Sequence, residues 1–198
     1  ALPLAALVGG PVQVDGLLYN CAALLGRGRL VGVAPKTELP NYREFYELRQ
    51  FTPGDSCLRN EIMLAGQRAP FGTDLVFRLE EQPRLKLFAE ICEDLWVPAP
   101  PSTFAALAGA TVIANLSASN VVIGKHEYRS ALASNQSARC LAAYLFSASG
   151  AGESTTDLAW DGHAMIWENG TLLAQSQRFS TQPALTFADL DLDRLAAD

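Results

Sequence analysis

The amino-acid sequence predicts one α/β domain whose sheet is mixed rather than purely parallel. Three observations carry that expectation. Short apolar and β-branched runs recur along the chain between turns marked by glycine and proline. Some of those runs pair across tight turns as hairpins, a connection available only to antiparallel neighbours. Others are linked by helical segments, as in the "PSTFAALAGATVIANLS" half of a βαβ unit. At 198 residues the chain is long enough for one sizeable core and short for two.

The elements follow in order. The opening "ALPLAALVGGPV" is apolar but has no basic lead-in and is too short to cross a bilayer, so it is neither a signal peptide nor a membrane helix. "GLLYNCAALLGRGRLVGVAPK" is two strands joined at "GRGR", the second ending at Lys36. "TELPNYREFYELRQFTPGD" spaces Tyr42, Phe45, Tyr46 and Phe51 irregularly, which fits a loop with one helical turn. "DLVFRLEEQPRLKLFAEICE" is a hairpin turning at "EEQP", and its second strand delivers Cys92. Ser102 or Thr103 caps a short helix that Gly109 closes, and "TVIANLS" follows as a strand. "KHEYRSALASNQSAR" is the longest helical segment and runs into a strand at "CLAAYLFSAS". "HAMIWENGTLLAQSQRF" is a hairpin turning at Glu168–Asn169–Gly170, and "PALTFADLDLDRL" is a last strand leading to an exposed end.

Composition narrows the function. Forty-nine per cent hydrophobic and 18% charged residues describe a globular chain, and a net charge of −6 argues against nucleic acid or an anionic membrane as partner. Cys21, Cys57, Cys92 and Cys140 lie far apart with no CxxC pair, and His126 and His163 stand at no ligand spacing. Neither a disulfide scaffold nor a metal site is expected, and the cytoplasm is the expected compartment.

Three predicted strands end in polar positions: Lys36, Cys92 and Ser117–Ser119. Ligands of α/β folds gather outside the carboxyl ends of strands, so these ends can converge on one pocket. A cation beside a thiol favours the thiolate, and the same cation can stabilise the oxyanion formed when sulfur attacks an amide. On spacing alone a bland reading stays open: a cysteine flanked by apolar residues is ordinarily core, and a lysine after a strand is ordinarily solvated. "GAGES" at 150–154 has the look of a phosphate loop but lacks the Lys-Ser/Thr ending, which excludes a nucleotide site there.

"VAPKTELPNYREFYELRQF", "EICEDLWVP", "ANLSASN" and "GESTTDLAWDGHAMIWENGTLLAQSQRF" together resemble the nitrilase (carbon–nitrogen hydrolase) superfamily. More narrowly they are similar to the glutaminase domain of glutamine-dependent NAD+ synthetases. The resemblance implies a nitrilase-like α-β-β-α sandwich with mixed sheets over residues 1–198. It also implies a Glu–Lys–Cys triad. Cys92 would be the nucleophile, Lys36 would stabilise the oxyanion with the backbone N–H just after the cysteine, and Glu47 would hold Lys36. Tyr42, Glu93, Trp96 and Ser119 would bind substrate, with Glu93 on the α-ammonium. Lys125 falls where close relatives often carry arginine, and it keeps the charge without the bidentate fork. Each has a plainer alternative: Tyr42 packing its loop, Glu93 or Asp94 capping a turn, Ser119 satisfying backbone. His126 and His163 are expected to be surface or satisfied polar residues, and Cys21, Cys57 and Cys140 to be packing.

The activity so implied is hydrolysis of glutamine to glutamate and ammonia through a Cys92 thioester. The ammonia would amidate deamido-NAD+ in a C-terminal, ATP-dependent synthetase domain. ATP and magnesium are expected only there, and no cofactor in this domain. A homo-oligomer is expected, with no nucleic acid and no membrane. Two other readings remain: a free-standing nitrilase-type amidase acting on another small amide, and a non-catalytic scaffold of the same fold. One departure stands out. The family's catalytic glutamate belongs before Lys36, yet the first 35 residues contain no glutamate and only one acid, Asp15. The family's N-terminal strands and the synthetase domain are therefore expected to be absent, and the chain alone to have little activity.

Overall fold

In the computed structural model, which describes residues 4–153 and 158–197, β1 (Ala5–Val14), β2 (Leu17–Gly26) and β3 (Arg29–Pro35) form an antiparallel sheet in that order. The opening apolar segment is thus a strand. Gly9, Gly10 and Pro11 weaken its β signal, and Pro11 is tolerated because β1 lies at the edge of its sheet. Side-chain alternation splits the sheet into two faces. Tyr19, Cys21 and Val33 pack with Ile62 and Ala69 of the hairpin β4 (Glu61–Leu64) and β5 (Gln67–Pro70) and with Phe71 just after it. Ala22 and Ala34, on the opposite face, pack against Ala89 and Ile91 of the larger sheet.

That larger sheet contains β6 (Val76–Arg78), β7 (Lys86–Ile91), β8 (Val112–Ser117), β9 (Ala143–Ala148), β10 (Ala164–Glu168) and β11 (Thr171–Gln175), in the order β11-β10-β9-β8-β7-β6. The three central strands β7, β8 and β9 run parallel, and the flanking pairs are antiparallel. The crossovers are α1 (Pro101–Leu107) and α2 (Lys125–Cys140), which cover the face of this sheet turned away from β1–β3. Helix, sheet and sheet therefore stack as layers, and Cys92 lies between the two sheets.

Asn169 and Gly170 both have positive φ, 45° and 80°, in keeping with the type I′ turn that joins β10 to β11. Two expectations need correcting. Neither Ser102 nor Thr103 caps α1. Pro100 precedes it and Pro101 opens it, where a missing N–H costs nothing, and Ser102 is buried one position further in. Gly109 does close the helix, with φ at +90° and the Ala110 N–H on the Ala105 carbonyl at 2.9 Å. The last strand is not formed: residues 184–191 join no ladder, and α3 (Leu192–Ala197) follows. Asp191 accepts from the Arg194 N–H at 3.0 Å, a helix N-cap, and Leu195 packs on Val112 and Ala143. Among the described residues no helix is long and apolar enough to cross a membrane.

Candidate active site

Cys92 follows β7 directly and has φ at +49°, in the left-handed region. For a non-glycine residue that conformation costs about 1–2 kcal/mol, so neighbours must hold it. They do so from both sides. The Cys92 N–H donates to Asn115 Oδ1 at 3.2 Å, and Ser117 Oγ donates to the same atom at 2.6 Å. Asn115 Nδ2 donates to the Tyr144 hydroxyl at 3.1 Å, which in turn donates to buried Glu90. Glu90 also accepts from the Ser102 N–H at 3.2 Å. On the other side Asp94 accepts from the Ile91 N–H at 2.8 Å and the Glu38 N–H at 2.9 Å. Burial pushes Glu90 above the usual carboxylate range and Asp94 up to about 7.

Lys36 is buried at the end of β3. Its N–H donates to the Asn20 carbonyl at 2.7 Å, and its own carbonyl accepts from the Gly54 N–H at 2.8 Å. A Cβ on Gly54 would stand 2.9 Å from that carbonyl oxygen and 2.8 Å from Pro35, so this close approach requires glycine. Lys36 Nζ donates to Glu47, which also accepts from Asn20 Nδ2 at 2.7 Å. Burial lifts the Cys92 thiol above its ordinary 9.0. The Lys36 ammonium is the largest opposing influence, followed by the Ala118 N–H and the Ser117 hydroxyl. Lys36, Glu47 and Cys92 share a cavity of about 750 Å³ with Ser117 and Trp160.

A second cavity, of about 260 Å³, also borders Cys92 and is lined by Tyr42, Glu93, Trp96, Ser119 and Lys125. The Tyr42 hydroxyl donates to Glu93 Oε1 at 2.7 Å, and burial followed by that carboxylate pushes it up to about 12. Lys125 Nζ lies 5.3 Å from the Trp96 ring centroid and 5.4 Å from that of Phe45. It also donates to Asn120 Oδ1, and Asn120 Nδ2 donates to Glu44 at 2.7 Å. Burial lowers Lys125 from its ordinary value, against the pull of Cys92 and Glu44. The buried Ser119 hydroxyl has no hydrogen-bond partner among the described residues, so it does not satisfy backbone as its plainer alternative supposed. Of the two acids offered as turn caps, Asp94 takes that role and Glu93 faces the cavity.

Sequence reasoning overlooked Asn20, Glu90, Asn115 and Tyr144, each of which has a partner 23 to 54 residues away along the chain, beyond any local pattern. Cys21 borders the larger cavity, while Asp15, His126 and His163 line neither. Asp15 sits in the β1–β2 turn, bonded to Arg59 Nε at 2.6 Å. His163 is buried against Arg129 and Gln175, and burial with the Arg129 charge pushes it down to about 4. His126 stacks edge-on against it at 4.8 Å, half-buried and with its Nδ1 unpartnered among the described residues, so it is neither the surface nor the satisfied polar residue expected. Positions 154–157 of the "GESTTDLAWDG" motif, including the end of "GAGES", lie outside the described residues.

Comparison with known proteins adds sequence and fold relatives to this geometry. The family model for carbon–nitrogen hydrolases matches residues 4–198. A glutamine-dependent NAD(+) synthetase of Mycobacterium tuberculosis is 53% identical over 192 residues, covering 97% of this chain and 28% of that protein. The glutamine-dependent NAD(+) synthetase of Saccharomyces cerevisiae is 32% identical, covering 95% and 27%. Among solved structures, a glutamine-dependent NAD(+) synthetase from Cytophaga hutchinsonii superposes with a TM-score of 0.80 at 26% identity, covering 93% of this chain and 29% of that one. The chain thus spans little more than a quarter of the length of these relatives.

Proposed function

We propose the function from a plain premise: this chain belongs to the carbon–nitrogen hydrolase family. Its activity is hydrolysis of the side-chain amide of glutamine, as part of a glutamine-dependent NAD+ synthetase. The observation that carries this reading is the 260 Å³ cavity, where a thiol, the Glu93 carboxylate and the Lys125 ammonium line one small space. An amino acid presents an ammonium and a carboxylate at one end, and glutamine adds an amide at the other. Glu93 complements the ammonium and Lys125 the carboxylate, leaving the amide carbon for Cys92. A neutral amide would leave both charges unanswered, which disfavours the free-standing amidase.

The chemistry proceeds in two halves. Sulfur of Cys92 bonds to the amide carbon, and the resulting oxyanion is met by Lys36 Nζ. The Cys92 N–H is engaged by Asn115, so the second donor is the next N–H along, that of Glu93. The carbon–nitrogen bond breaks, ammonia leaves with the proton that was on the thiol, and a γ-glutamyl thioester remains. Water then adds to the thioester, giving glutamate and the free thiol. Glu47 keeps Lys36 aimed rather than exchanging the proton itself. The ammonia serves a synthetase unit that amidates deamido-NAD+.

The test is ammonia release from glutamine against release from neutral propionamide, in the full natural protein. Glutamine preference that Glu93→Gln removes supports the reading, and equal rates on both amides contradict it. Transfer of nitrogen-15 from amide-labelled glutamine into NAD+ tests the synthetase role separately.

A further inference from the structure

Lys36 and Cys92 belong to different sheets. Lys36 follows β3 of one and Cys92 follows β7 of the other, and among the described residues no ladder of backbone hydrogen bonds joins the two strands. Their contact surface is apolar, Ala22 and Ala34 against Ala89 and Ile91 with Leu7 and Leu116 packed beside them, and apolar packing is non-directional. The alignment of ammonium on thiol must therefore be fixed by something directional. Asp94 has the required geometry. One carboxylate oxygen accepts from the Ile91 N–H, a residue before Cys92, and the other from the Glu38 N–H, two residues past Lys36. The side chain is buried, so water does not compete for either bond.

We propose that Asp94 is a positioning residue that holds the Lys36 segment in register with the Cys92 elbow. This rests on the reading of Cys92 as nucleophile. The ionised carboxylate suits the task because it is all acceptor, with both oxygens free to receive an N–H. Asparagine offers one acceptor and would turn an NH2 donor toward the second N–H. The ordinary role of such an acid is a turn cap, and the Ile91 bond is that. The Glu38 bond is different, since it reaches across 56 residues into the other catalytic segment.

The experiment reads thiol ionisation rather than turnover. Iodoacetamide modification of Cys92 is followed across pH by peptide mass spectrometry in the wild-type protein, Asp94→Asn, Lys36→Met and the double variant. Cys57 and Cys140 serve as internal references. Positioning predicts that Asp94→Asn moves the Cys92 profile upward in the same direction as Lys36→Met. A one-unit rise in thiol pKa slows modification about tenfold at a fixed lower pH. The double variant should then fall no further than Lys36→Met alone. An Asp94→Asn profile like wild type, or losses that multiply in the double variant, overturns the proposal while leaving the nucleophile in place. A Cys92 profile indifferent to Lys36→Met sinks the nucleophile reading instead. Should Asp94→Asn fail to fold, amide exchange in the wild-type protein decides: protection at the Glu38 N–H supports the tie, and free exchange there overturns it.

Discussion

The Cys92 elbow and the wall that faces it across the smaller cavity are built by different means. The elbow is anchored in regular structure: Glu90 on β7, Asn115 on β8 and Tyr144 on β9 are all buried, and their hydrogen bonds form a connected set beneath the thiol. The wall is irregular chain. Tyr42 is 48% exposed on a loop, and Lys125 stands at the start of a helix with its ammonium over two rings. A fixed scaffold suits the atom that must attack at one angle, while single side-chain pairs suffice to hold the ends of a ligand.

That contrast can be broken by mutation. Cys92→Ala should reduce ammonia release by roughly 10⁴-fold or more, since loss of a covalent nucleophile is not replaced by its neighbours. Lys36→Met should lower kcat by about 10²–10³-fold with little change in KM, the pattern of lost oxyanion stabilisation. For the groups that hold the ligand's ends, Glu93 beside the thiol and Tyr42 on the wall, the balance reverses. Glu93→Gln should raise KM by about 10- to 100-fold and leave kcat within a few-fold, as one charged hydrogen bond to the ligand is lost. Tyr42→Phe should cost about 2- to 10-fold in KM, because it only frees Glu93 from one neutral donor. Steady-state kinetics on glutamine reads all four. A wall substitution acting on kcat alone would erase the distinction.

The elbow also carries a pH signature. Asp94 is held near 7 in the folded protein, well above the ordinary 3.8 expected of the unfolded chain. Between those values the folded state binds the extra proton, so stability is greatest at the acid end and declines as pH rises from about 4 to about 7, then levels. Glu90, also pushed up by burial, acts in the same direction. Urea midpoints measured across that window should fall with pH, and the slope should be shallower in Asp94→Asn.

Much of this was legible in the sequence where signals are local. The turn at Asn169–Gly170, the strand that delivers Cys92 and the helix from Lys125 announce themselves in a few adjacent residues. The strand over residues 5–14 did not, because two glycines and a proline dilute its pattern. The terminal helix did not either, since "DLDLD" alternates like a strand while Asp191 caps like a helix. Site residues that the family resemblance named stand around the two cavities, but the supports of the thiol were invisible. Asn115 looks like any strand asparagine until folding brings the Cys92 N–H to it.

The most direct test of the account is the mass of Cys92 during turnover. With the full natural protein quenched in acid while hydrolysing glutamine, the Cys92 peptide should carry a γ-glutamyl group, and the other cysteine peptides should not. Turnover of glutamine with an unmodified Cys92 and no loss of ammonia release in Cys92→Ala would contradict it.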